Sequence, residues 1–174
     1  MRKDNQKQTA FERIGRAVEQ QFNIKIASDG RWFHEGGEIH RKALVKLFST
    51  VLKRDSNGVF WLETPVEKGR IEVEDAPFIA TALTVERAEN AQLDRDATLY
   101  FITNVDDHVP LDMAHPLQML QSPDGSGMRP YIEVRDGLLA KLSRPVYYEL
   151  AARAITSDDG EIGVWSHDHF FVLE

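Results

Sequence analysis

The chain has 174 residues, 42% of them hydrophobic and 28% charged, and 28 acidic against 21 basic residues give a formal net charge of −7. That composition belongs to a folded globular protein rather than a disordered one, and its length suits one ample domain or two small ones. The absence of cysteine excludes disulfides, thiol nucleophiles and thiolate zinc sites, and the lack of any extended basic tract excludes polyanion binding through a general positive field.

No apolar run approaches the roughly 20 residues that cross a bilayer. The start, Met1 to Gln8, is polar and carries no signal-peptide stretch. A cytoplasmic protein with no membrane or nucleic-acid partner is therefore expected.

In chain order, Thr9 to Phe22 reads as a helix, with Thr9 and Glu12 spaced as a capping box and Phe11, Ile14, Val18 and Phe22 on one face. Ile24-Lys25-Ile26 and Arg31-Trp32-Phe33-His34 read as strands joined by a tight Asp29-Gly30 turn. From Ile39 to about Lys53, Leu44, Leu47, Phe48, Val51 and Leu52 recur at helical spacing. Asn57-Gly58 turns into the apolar strand Val59 to Leu62, and Arg70 to Glu74 alternates with a period of two. Beyond Pro77, Phe78 to Val85 and Thr98 to Val105 predict a further hairpin, Asp112 to Gln121 a short helix, and Ser122 to Gly127 a loop.

The remaining segment repeats the earlier order. Tyr131 to Arg135, Asp136-Gly137 and Leu138 to Leu142 form a hairpin pattern, and Pro145 opens a helix with a stripe of Tyr147, Leu150, Ala151, Ala154 and Ile155. Asp159-Gly160 then leads to the strands Ile162 to Trp165 and Phe170 to Glu174. The sequence thus predicts an α+β fold of two lobes, each with a hairpin-helix-hairpin unit produced by internal duplication. The expected divisions are an N-terminal helix at 1–22, a first lobe at 23–76, and a second lobe at 77–174 whose copy of the unit spans 131–174.

The run Asp29 to Arg41, Leu44 to Phe48, Thr64 to Lys68 and Val73 to Phe78 resembles a bacterial two-domain family of uncharacterised function. The likeness extends through Thr103-Asn104, His115-Pro116-Leu117 and Arg144 to Tyr147, as far as Gly163 to Ser166. It implies an internal repeat, a C-terminal part loosely like a pleckstrin-homology domain, and a role in signal transduction with a nucleotide-like ligand between the domains. The hairpin turn at His167-Asp168-His169 departs from the plainer, Gly-containing turn expected there.

Two sets of residues are candidate ligand contacts. The first is Thr64, Pro65, Glu67 and Lys68 with Arg41, Trp61 and Asp75, a mix of both charge signs, a hydroxyl and an aromatic floor that suits a polar pocket. The bland alternative is a turn with a solvated tip. The second is Arg129, Arg135 and Arg144, whose guanidinium forks suit phosphate or carboxylate; ordinary ion pairs are the alternative. His167 and His169, two apart on one side of a strand, could join His108 and His115 in a thiol-free metal site, but Ser166 to His169 reads as the turn itself and no histidine forms a helical i, i+4 pair with a glutamate. No nucleophile elbow, phosphate loop, dinucleotide-binding or calcium-loop motif is present. No cofactor, no metal and no catalytic residue are expected.

These residues point to a non-catalytic ligand-binding or signalling protein that takes a small anionic or nucleotide-like molecule in a cleft between the lobes. An enzyme on such a substrate and a protein-protein adaptor are the alternatives. Exposed strand edges such as Arg70 to Glu74 are compatible with a homodimer.

Overall fold

The computed structural model describes residues 19–87, Glu89 and 94–173. Among these the chain is mostly β, with fifteen strands and two α-helices, and it divides into two compact units. The expected α+β balance is corrected because several apolar runs taken for helix complete sheets instead. Glu19 to Phe22, the end of the expected N-terminal helix, lie in strand β1 (Glu19–Ile26); the rest of that expectation, at 1–18, lies outside the described residues.

Among the described residues the first unit comprises 19–25 and Trp32–Glu72. Its sheet runs β3-β2-β1-β6-β5-β4, with β2 (Trp32–His34), β3 (Gly37–Glu38), β4 (Leu52–Arg54), β5 (Phe60–Glu63) and β6 (Lys68–Val73). Helix α1 (Lys42–Thr50) is shorter than its periodicity predicts. Leu52 leaves the helical stripe to pair with Leu62 in the sheet, where both side chains are buried. Phe48 stacks on the buried Trp32, with ring centroids 6.2 Å apart, whereas Leu47 of the same stripe is 61% exposed.

Among the described residues the second unit comprises Ile26–Arg31 and 73–173. A six-stranded sheet runs β10-β11-β12-β7-β8-β9, from β7 (Phe78–Arg87), β8 (Ala97–Thr103), β9 (His108–Pro110), β10 (Leu117–Gln121), β11 (Met128–Arg135) and β12 (Leu138–Leu142). Strand β10 replaces the second half of the helix expected over Asp112 to Gln121, because Leu117 to Gln121 pair with Met128 to Ile132. Buried and half-buried positions alternate strictly along β8 and β12, the signature of strands with one face on the core. Helix α2 (Arg144–Ala151) follows, with Pro145 in its first turn. A three-stranded sheet then closes the unit in the order β13 (Ile155–Thr156), β14 (Ile162–Ser166), β15 (His169–Val172). The wholly buried Ser166 hydroxyl donates to the Leu111 carbonyl at 2.6 Å and accepts from the Leu99 amide at 3.0 Å, which fastens this small sheet beside β8.

The two hairpin-helix-hairpin segments share their element order, apart from the extra short strand β3 in the first. They also share one turn in detail. The backbone amides of Asp55 and Ser157 each donate to the carbonyl of the residue four positions on, Val59 and Glu161, and each side-chain oxygen accepts that residue's amide in return. Gly58 and Gly160 take up positive φ of 80° and 87° in the same place. The pairing differs. In the first segment β1 joins β6 in one sheet, whereas in the second β12 pairs in parallel with β7 and the last hairpin forms its own sheet.

Two turns differ from expectation. At Asp29-Gly30 only Gly30 has positive φ, within a longer connection closed between Ala27 and Arg31, so it is not a two-residue turn. At the other end of the chain His167 and Asp168 form a tight turn with φ of 50° and 60° and no glycine. Backbone hydrogen bonds from His167 to Ala97 and from Asp168 to Arg95 hold that unfavourable geometry in place.

Candidate anion-binding cleft

The second unit carries a cleft of about 580 Å³, built where β10 and the 122–127 loop meet the ends of β11 and β12 and the start of α2. Its volume is within the range of small-molecule sites. Three cations line it, Arg129 from β11, Lys141 from β12 and Arg144 from α2. Met119, Met128, Pro130, Leu142 and Tyr147 supply its apolar wall.

The cations are positioned by strand geometry. Arg129 and Tyr131 are two apart on β11, and Tyr131 pairs across to Lys141 on β12, so the pleat puts all three on one face. Beneath them the side chain of Asp75 is only 5% exposed. Its carboxylate receives the Lys141 ammonium at 2.7 Å and the Tyr131 hydroxyl at 2.7 Å, with a guanidinium nitrogen of Arg129 at 3.9 Å. Lys141 also donates to the Ser28 carbonyl. Burial, with the Asp75 carboxylate beside it, pushes the Tyr131 phenol pKa up, so the hydroxyl stays a donor.

Arg129 turns its other edge to the loop, donating to Asp124 at 3.0 Å and to Ser126 at 2.7 Å. The Asp124 carboxyl also accepts from the Ser122 hydroxyl at 2.6 Å and from the Ser126 amide at 2.9 Å. Those bonds hold its pKa well below the usual carboxylate range. Arg144 differs from its two neighbours. It is exposed at the first turn of α2 and forms no ion pair or hydrogen bond among the described residues.

The expected contacts therefore separate. Arg129 and Arg144 meet in the cleft and Asp75 lies under it, whereas Arg135 is engaged elsewhere, 3.2 Å from Asp107 and over the Phe78 ring. The remaining candidates belong to the first unit. There the Lys68 ammonium sits 4.6 Å above the Trp61 ring, and the indole donates to Asp55 at 2.9 Å. Thr64 and Glu67 close a turn on each other through three hydrogen bonds, with Pro65 exposed between them. Arg41 is the exposed residue that precedes α1. Lys141, Tyr131 and Tyr147 carry no such signal in the sequence, where a lone lysine in an apolar strand and tyrosines in a core stripe read as structural. Among the described residues no three His, Asp or Glu side chains gather as a metal site, and no helix is long and apolar enough to cross a membrane.

Two family models match the chain in succession. Residues 15–76 match the domain of unknown function DUF1285, N-terminal domain. Residues 77–173 match the DUF1285 C-terminal domain, likewise of unknown function. The crystal structure of a DUF1285 family protein from Silicibacter pomeroyi DSS-3 is 38% identical, with a TM-score of 0.80 over 92% of this chain and 85% of that one. A DUF1285 family protein from Shewanella baltica OS155 is 29% identical, with a TM-score of 0.52 over 74% of this chain and 89% of that one. No curated protein matches the chain.

Proposed function

The chain belongs to the DUF1285 family, and from that premise we propose that it is a non-catalytic binding protein for a small anionic or nucleotide-like ligand, with the cleft on the second unit as its site. The observation that carries this reading is Arg144, a guanidinium without a partner among the described residues, at the mouth of a cleft that two further cations line. An arginine fork left open beside apolar wall is what recognition of a carboxylate or phosphate uses. The acidic character of the chain as a whole makes the local positive group selective for small anions over polymers. A bacterial signalling role, a cytoplasmic location and a loosely pleckstrin-homology-like second unit belong to the same proposal. For the last of these the support is a six-stranded sheet followed in the chain by a helix and a three-stranded sheet.

The test is a thermal-shift screen of nucleotides and small anions against the full chain. A ligand at 100 times its dissociation constant stabilises the fold by about 2.7 kcal/mol. Shifts that disappear in Arg144→Ala support the proposal. A screen in which no anion moves the midpoint, or in which Arg144→Ala responds like the parent, refutes it.

One observation favours a second reading, an interaction module. Ile155, Ile162 and Val172 are exposed on the three-stranded sheet, whose outer strand β15 is an edge. Sedimentation of the chain across a wide concentration range, unchanged by Val172→Lys, would remove self-association through that edge.

A further inference from the structure

Resting on the reading of the cleft as an anion site, we infer that its ligand bears a single negative charge on an apolar body, rather than a polyphosphate. Three cations line the cleft, but two of them are already answered by carboxylates held in place. Lys141 lies 2.7 Å from Asp75, and Arg129 lies 3.0 Å from Asp124 while also facing Asp75 at 3.9 Å. Only Arg144 brings an uncompensated charge.

A polyanion that entered would find one uncompensated positive charge, the other two cations being already answered by Asp75 and Asp124, and would lose the water that had been screening its remaining charges. A monoanion meets one guanidinium and nothing left over. The rest of the lining agrees with this. Met119, Met128, Pro130 and Leu142 are apolar, and Tyr147 adds a ring, so most of the wall gains by covering hydrocarbon or an aromatic ring rather than by binding more charge. The acidic head of the ligand belongs at Arg144, and its body along the methionines.

Two sources offer this chemistry, an alkyl carboxylate and a cyclic phosphodiester of a nucleoside, and the experiment separates them. Isothermal titration of the full chain would compare octanoate, octanol, 3′,5′-cyclic AMP, ATP and tripolyphosphate at equal ionic strength. The expected order is octanoate or cyclic AMP tighter than octanol by about tenfold or more, as a charged hydrogen bond requires, with ATP and tripolyphosphate weaker than the better monoanion. Arg144→Gln should erase the advantage of octanoate over octanol and leave octanol unchanged. Met128→Lys, at an exposed position, should move the preference toward ATP by adding a second net charge. ATP or tripolyphosphate binding the parent chain more tightly than either monoanion overturns the charge count and leaves the anion site standing. The absence of binding by every probe overturns the site itself.

Discussion

The ammonium of Lys141 and the carboxylate of Asp75 lie 2.7 Å apart with side chains only 14% and 5% exposed, joining β12 to the segment just after β6. The pair is satisfied by further bonds from Tyr131 and to the Ser28 carbonyl. Removing one member leaves an uncompensated buried charge, which is far more costly than replacing both by apolar groups. Asp75→Ala is therefore expected to lower unfolding free energy by about 3 kcal/mol, and Asp75→Leu with Lys141→Met to recover most of that loss. Urea denaturation of both variants measures it, and equal losses in the two would show that the charges are not coupled.

Tyr131 makes the same network sensitive to alkali. Burial and the neighbouring Asp75 raise its phenol pKa in the folded state above the unfolded value of about 10. Its contribution is complete below about pH 10 and is lost as pH rises through the folded-state value. Tyr131→Phe should cost about 1.5 kcal/mol at pH 7 from the lost hydrogen bond to a charged acceptor. The variant should then fall less steeply than the parent above pH 10, read from urea midpoints across that range. Parallel pH profiles would contradict the assignment.

Asp124 responds at the opposite end of the scale. Hydrogen bonds from Ser122 and Ser126, with Arg129 beside it, depress its folded-state pKa. The stabilisation of the 122–127 loop is then fully present above about pH 4, the unfolded value for aspartate, and is lost as pH falls through the lower folded value. A carboxyl-carbon NMR titration should place the Asp124 midpoint clearly below about 4, the ordinary aspartate value. A midpoint at that value would show that the loop hydrogen bonds do not persist in solution.

Gly69 and Phe22 form a pair across the first unit's sheet. A Cβ built on Gly69 would lie 2.2 Å from the Phe22 ring, which covers the glycine. Gly69→Ala should therefore cost about 1–3 kcal/mol through overpacking. In the background of Phe22→Ala the same substitution should cost much less, and a thermal-denaturation double-mutant cycle gives the coupling. Additive losses would mean that the ring and the glycine do not touch.

Phe22 illustrates how far local pattern reaches. Its spacing from Phe11, Ile14 and Val18 fits a helical stripe, yet it lies in β1, where the ring packs on Gly69. Leu117 to Gln121 follow the same logic, with no alternation to mark a strand until β11 is beside them. Short apolar runs carry no periodicity that separates a helix from a strand, and the hydrogen-bonding partner decides between them. Glycine-bearing turns were more legible. Gly58, Gly137 and Gly160 all adopt positive φ where Asn-Gly or Asp-Gly marks a reversal, because that preference is local and steric.

The sequence by itself determined that a hairpin, a helix and a second hairpin follow one another in each related segment, though not the short strands β3, β4 and β13, together with the absence of thiol chemistry and the likeness to a family without an assigned role. Only the tertiary structure decided which polar groups meet. A two-residue turn at Asp136-Gly137 would set Tyr131 opposite Leu142, but an irregularity between Glu133 and Arg135 shifts the register by one residue and brings Lys141 there instead. That shift turns a lone lysine into the partner of Asp75. No spacing in the chain announces it, because a bulge follows from how neighbouring strands fit rather than from the residues that form it.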